Sequence, residues 1–386
     1  MTEEVKKVYD ERVKRFITTS NLNEPDRVPI MNSTNVWAIS YAGYTYADLF
    51  ENYDLEAKVF MNSHEGFYYD GTRSAGGFNH MVKFHNELGS FQNFISPNAI
   101  TLQHSEKSSM EADEYDEFIA DPFKFIANKI AVRKIGAFQV EDEEQVYQSM
   151  SALFQKPAEV RSKSYVAKEI EEKLGIPIIS GGNISHPIDQ FFDFVRGFKN
   201  TMTDLRRRPE KLLAAVEAMY PYAERNIPKG PLPEFPWITD NHHLAKFLTA
   251  DLFGTFYWPY FRKSVEGVYN AGSKFLSHFE GPWEQHYDFF DDLPAKSMIC
   301  ILESDEVELF KKRFANRYTV YAGIHSNTLR SGDIEKCKEE AKKTIDKAAP
   351  GGGYIYGMRN GLLAPGDADA EVIRSLNKFI LEYGVY

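Results

Sequence analysis

From about residue 176 onward, short strand-like runs alternate with amphipathic helical stretches, and this ordering limits the fold more than any other feature. The runs are Ile176–Ser180, Pro236–Thr239, Lys274–Phe279, Met298–Leu302, Thr319–Ile324 and Gly353–Gly357. Met298-Ile299-Cys300-Ile301-Leu302 is apolar throughout, as a parallel strand covered on both faces must be. Between the runs, Leu212, Leu213, Val216, Met219, Tyr220 and Ala223 form one helical stripe behind Pro209. Ile334, Cys337, Ala341, Ile345 and Ala348 form another, closed by Pro350-Gly351. A last stripe runs from Val372 to Tyr383, opened by Asp367 and closed by Gly384. So many strands with long helical connections predict an α/β protein, a (β/α)8 TIM barrel rather than a short open sheet.

The first ~110 residues are less regular and read as additional N-terminal structure on one domain spanning 1–386. Residues 3–16 resemble a charged helix, and Arg27-Val28-Pro29-Ile30-Met31 a first barrel strand. Residues 77–105 carry short alternating runs, expected as a β-hairpin excursion or a lid, and 112–160 turn polar and helical. A net charge of −11 with no basic stripe disfavours a nucleic-acid partner. Two cysteines, Cys300 and Cys337, exclude a disulfide framework or a cysteine-rich metal knuckle and read as packing residues. No apolar run spans a bilayer and no apolar signal segment opens the chain, so the expected location is cytoplasmic. Gly351-Gly352-Gly353 precedes a strand, the wrong context for a phosphate loop.

Polar residues stand at the ends of the apolar strands: Asp240 and His242, His278 and Glu280, Glu303, His325, then Arg359 and Asn360. In an α/β barrel such strand ends open on one face, where the active site lies. Glu280, Glu303 and His325 are therefore the expected catalytic and metal-binding residues, a carboxylate–carboxylate–imidazole set suited to zinc. Acids at strand ends also cap helices or pair with arginines, and three on successive strands tilt the balance towards function. His278 is expected to bind substrate or orient Glu280, and Asp240 and His242 to contact substrate. His243 points the other way from His242 and reads as structural; Asp288 is a further acid, inside the following helix.

Several segments together resemble the uroporphyrinogen decarboxylase superfamily: Glu24-Pro25-Asp26-Arg27-Val28-Pro29-Ile30, Thr203-Asp204-Leu205-Arg206-Arg207-Arg208-Pro209-Glu210-Lys211-Leu212, His278-Phe279-Glu280-Gly281, Tyr321-Ala322-Gly323-Ile324, Leu329-Arg330-Ser331-Gly332 and Gly352-Gly353-Tyr354-Ile355. The resemblance implies a (β/α)8 barrel with extra N-terminal structure. The decarboxylases of that superfamily carry an N-terminal arginine-rich segment, where this chain reads Pro29-Ile30-Met31-Asn32-Ser33-Thr34-Asn35-Val36-Trp37. Members that methylate coenzyme M hold zinc through His-x-Cys and a later Cys, where this chain has His278-Phe279-Glu280. The chain is more similar to the methyltransferases that begin anaerobic O-demethylation, moving methyl from a phenyl methyl ether to a corrinoid protein. That resemblance implies zinc on Glu280 (or Asp288), Glu303 and His325, acting as a Lewis acid on the ether oxygen. It implies a corrinoid (cobalamin) carried by a separate partner protein, since no Asp-x-His-x-x-Gly motif occurs here. Other donors or acceptors (methylamine, methylthiol, coenzyme M), a decarboxylase-like activity, and a barrel that merely binds a corrinoid are the alternatives.

Overall fold

The computed structural model describes residues 1–32, 34, 36–49, 52–73, 89, 93–97, 101–105, 107–139, 142–148 and 157–386. Eight parallel strands form its centre: β1 (Ile30–Asn32), β2 (Gly71–Thr72), β5 (Ser180–Asn183), β6 (Trp237–His242), β7 (Phe275–Phe279), β8 (Met298–Leu302), β9 (Thr319–Ala322) and β10 (Tyr354–Gly357). They pair in the order β2-β1-β10-β9-β8-β7-β6-β5. A parallel bridge between Thr72 and Ile178 joins the two ends, through Thr72 N–H to Pro177 O at 3.0 Å and Ile179 N–H to Thr72 O at 3.1 Å. The expected barrel is therefore present. β3 (Asn93–Ile95) and β4 (Leu102–His104) pair antiparallel outside it, a hairpin within the 77–105 excursion; most of the remainder of that stretch lies outside the described residues.

Side chains alternate between the two faces of each strand. The inner face packs Met31, Ile179, Trp237, Leu276, Ile299, Ile301, Tyr321 and Ile355 around Phe16, which enters from the N-terminal helix Glu3–Ser20. The outer face joins the larger core beneath the helices. Two glycines make the inner packing possible: a Cβ on Gly71 would stand 2.6 Å from the Phe16 ring, and one on Gly357 would meet the Tyr321 ring at 2.0 Å.

The stripes form the helices Pro209–Ala223, Ile334–Ala348 and Ala370–Tyr383. The last is capped by Asp369, whose carboxylate accepts from Glu371 N–H, and not by Asp367, which accepts from Leu363 and Ala364 and pairs with Arg330. Two of the quoted motifs hold the barrel together at sites remote from the strand ends. Asp70, fully buried below β2, receives Arg15 and both guanidinium nitrogens of Arg27, each at 2.7 Å. Asp204, also fully buried, accepts from Tyr115, Arg196 and Arg208, binding the helix Tyr115–Ala120 to the barrel. Removing either carboxylate would strand buried guanidinium charge, which is costly. Among the described residues no helix is long and apolar enough to cross a membrane.

Candidate functional site

Because inner-facing residues alternate, the C-terminal mouth of the barrel can be assigned position by position. Leu276 faces inward, so His278 does too; its register partner across β6 is Asn241, which follows Trp237 by two alternations. Gly71 faces the interior, so Arg73 emerges on the same side. Arg73 reaches across the mouth and donates to Asn241 Oδ1 at 3.2 Å. Glu280 stands just beyond β7. Its carboxylate lies 3.3 Å from His243 Nε2 and 3.5 Å from Lys246 Nζ, both on the segment after β6.

The electrostatics of this mouth follow from enclosure. Burial raises the Glu280 carboxyl above its usual range; the positive charges of His243 and Lys246 pull it down, and the Glu303 charge pushes it up again. Burial opposes a charged His243, but Asp193 (2.7 Å from Nδ1) and Glu280 outweigh it and raise that imidazole to about 9. His243 is thus an imidazolium near neutral pH. His278 goes the other way: burial first, then the Arg73 guanidinium, lowers it to about 3, so its ring is neutral. Its Nε2 is buried and has no hydrogen-bond partner among the described residues. Arg73 is itself lowered by burial.

The structure places the expected metal ligands as follows. Glu303 is held by the Gly281 N–H and by Asn360 Nδ2, which ties the loop after β7 to the loop after β10. His325 is exposed, at the N-cap of the short helix Ser326–Arg330, and its backbone N–H donates to Glu340 at 2.7 Å. Glu280 and Glu303 are electrostatic neighbours, whereas no contact joins His325 to either among the described residues. Asp288 has a side chain 91% exposed and pairs with Arg313 at 2.8 Å, facing solvent. No group of three or more His, Cys, Asp or Glu side chains among the described residues could hold a metal ion. As arranged, Glu280, Glu303 and His325 do not fit a zinc site.

Asp240 and His242, expected to contact substrate, stand instead on the outer face of β6. Trp237 faces inward, so the even-numbered positions point into the helix layer. There His242 is fully buried, with Nε2 at 2.7 Å from Ser277 Oγ and Nδ1 at 2.8 Å from the Tyr257 hydroxyl. That hydroxyl donates to Asp189, whose other oxygen accepts from Leu244 N–H at 2.8 Å. Phe261, Phe279 and Trp283 surround the ring. Asp189 is pushed up to about 7 by burial, against the His243 charge and the Tyr257 hydroxyl. The chain Ser277–His242–Tyr257–Asp189 therefore fixes Leu244 and, on either side of it, His243 and Lys246 at the mouth.

Arg73, Asn241, His243 and Lys246 were not among the expected site residues. His243 was legible in principle: it sits one position after His242, and the choice between them depends only on which face of β6 is inner. Arg73 carried no signal, because β2 has two residues. Cys300 and Cys337 are buried packing residues, as expected; Cys337 Sγ lies 3.3 Å from the Thr328 carbonyl.

No family model and no curated protein matches the chain. Its architecture is shared with a methyltransferase from Methanosarcina mazei, 17% identical, over 96% of this chain and 98% of that one, with a TM-score of 0.63. At that identity the likeness establishes the fold.

Proposed function

We propose that the protein is a methyltransferase that takes methyl from a phenyl methyl ether and passes it to the cobalt(I) corrinoid of a separate protein docked over the barrel mouth. One observation carries this reading: a carboxyl with raised proton affinity, Glu280, stands at the mouth against the imidazolium of His243. The sequence resemblance and the methyltransferase that shares the fold support it.

An aryl ether is a poor electrophile because phenolate leaves reluctantly. The corrinoid, as the acceptor substrate, supplies the nucleophile that takes the methyl carbon. As the carbon–oxygen bond breaks, its electron pair goes to the ether oxygen. The Glu280 carboxylate relays a proton from the His243 imidazolium, 3.3 Å away, to that oxygen, so the product leaves as a neutral phenol and His243 is left neutral. Zinc would supply the same stabilisation as a Lewis acid, but the described donor set does not fit it, and no step here passes through a metal.

The test mixes the purified protein with reduced corrinoid protein, or with free cob(I)alamin as a surrogate, and follows the methylcorrinoid absorbance. Phenyl methyl ethers should give methylcorrinoid. If methylamines or methylthiols react and ethers do not, the donor assignment is wrong; if none reacts, methyl transfer is wrong.

A further inference from the structure

Four polar groups stand in series on the outer side of β6 and β7, and none of them sets its hydrogen-bond direction alone. Ser277 Oγ lies 2.7 Å from His242 Nε2, His242 Nδ1 lies 2.8 Å from the Tyr257 hydroxyl, and that hydroxyl meets one Asp189 oxygen. The other Asp189 oxygen accepts from Leu244 N–H at 2.8 Å. All four side chains belong to buried residues, so bulk water cannot relieve a mismatch. The Tyr257 ring stacks on His186, with centroids 3.7 Å apart, and on Phe253 at 5.3 Å, so the ring is held while its hydroxyl hydrogen can swing.

Donor counting ties the two ends of the series together. Burial holds His242 well below its ordinary value, and a neutral imidazole has one N–H and one bare nitrogen. With Asp189 ionised, the Tyr257 hydroxyl donates to the carboxylate. Its oxygen then accepts from His242 Nδ1–H, and the bare Nε2 accepts from the Ser277 hydroxyl. With Asp189 protonated, its O–H donates to Tyr257, the hydroxyl turns its hydrogen to a bare Nδ1, and Nε2–H donates to Ser277. A mixed arrangement sets two hydrogens or two lone pairs face to face inside the core, which is costly.

We propose that Asp189, Tyr257, His242 and Ser277 form a proton-linked switch, in which a proton taken up by Asp189 reverses the series, moves His242 from its Nδ1–H to its Nε2–H tautomer and loosens the hold on Leu244. The balance closes at one proton taken from water: Asp189 gains an O–H, His242 loses Nδ1–H and gains Nε2–H, and Tyr257 and Ser277 keep their hydroxyls. Burial raises Asp189 to about 7, which puts the change near neutral pH; His243, Tyr257 and Leu244 N–H pull it down and Asp193 pushes it up. Asp240 faces it from β6 and is itself raised well above the carboxylate range by burial and the Asp189 charge. Asp240 also lies 3.7 Å from His242 Nδ1; His186, His243 and His278 act on that ring, and Glu280 acts on Tyr257. A neutral carboxyl accepts more weakly than a carboxylate, so Leu244, next to His243, is held less firmly below the transition. The switch goes beyond the proposed function and does not rest on it.

Nitrogen-15 NMR of the full chain labelled in histidine reads the His242 tautomer, because bare and protonated ring nitrogens are well separated. In the wild type, His242 should pass from Nδ1–H to Nε2–H as pH falls from about 8.5 to about 5.5, with the midpoint at about 7. Protection of the Leu244 amide from hydrogen exchange should fall about fivefold over the same range, after correction for intrinsic exchange. Asp189→Asn, whose amide accepts from Leu244 and donates to Tyr257, should hold His242 as Nε2–H throughout. Tyr257→Phe cuts the series and should abolish the pH dependence. A single tautomer across the range in the wild type, an imidazolium there, or Asp189→Asn held as Nδ1–H would each overturn the switch. Leu244 protection that ignores pH would overturn its link to the mouth. The wild-type titration stands even if a variant fails to fold, and no methyl transfer is read, so failure of the proposed function leaves the result untouched.

Discussion

Two polar clusters, each setting a histidine beside a carboxylate, lie on opposite faces of β6 and β7. The outer one, Ser277–His242–Tyr257–Asp189, is closed: its hydrogen bonds run in series, aromatic rings surround it, and solvent does not reach His242. The inner one, with Arg73, Asn241, His243, Lys246, His278 and Glu280, is open: charges face the mouth, and His278 Nε2 has no partner among the described residues. A histidine next to an acid therefore means little by itself. The two clusters differ in whether their polar atoms are satisfied within the fold.

Breaking the inner cluster should cost activity and leave the fold intact. Glu280→Gln keeps the shape and removes the proton relay, so the rate of methylcorrinoid formation should fall about 10²–10⁴-fold, the usual contribution of a positioned acid–base group. An unchanged rate would move the proton donor elsewhere. Breaking the outer cluster should do the opposite. His242→Ala removes the bridge between Ser277 and Tyr257 and opens a cavity among aromatics, which should lower unfolding free energy in urea by about 3 kcal/mol. A loss under 1 kcal/mol would show that the network is not holding the loop after β6.

pH sharpens the same contrast. The His243 imidazole is raised in the folded protein, to about 9 from an ordinary value near 6.5. The stability it contributes is complete below pH ~6.5 and declines as pH rises through about 9. His243→Gln should flatten the stability profile in that window, measured by urea midpoints at a series of pH values. Methyl transfer should also fall as pH rises through about 9 and His243 loses its proton. An alkaline optimum would be incompatible with acid assistance. The smallest effect is expected at His325: exposed and outside the inner cluster, its replacement by Ala should change the transfer rate less than about twofold. A large loss, accompanied by loss of bound zinc, would reinstate it as a ligand.

Much of the barrel was readable because its strands and helices obey different periods. Met298–Leu302 announced a doubly covered strand, and the stripes at 212–223 and 334–348 announced the helices that cover it. β2, with only Gly71 and Thr72, was not readable, since two residues show no period. The site was legible as a set of strand ends but not as a set of facing side chains. β6 is covered on both faces, so neither parity stands out as inner, and a shift of one residue exchanges Asp240 and His242 for Asn241 and His243.

The sequence by itself determined the alternation of strands and helices, the strand ends where polar groups gather, and the acidic charge balance. Those properties are local or additive, and short-range chemistry encodes them. Only the tertiary structure decided which polar residues meet: the barrel brings Arg73 to Asn241, 168 positions later in the chain, and sets His243 against Glu280 while leaving His325 in solvent. Such meetings depend on strand register and on which face turns inward, and these are fixed by how the entire ring packs around Phe16 and Trp237.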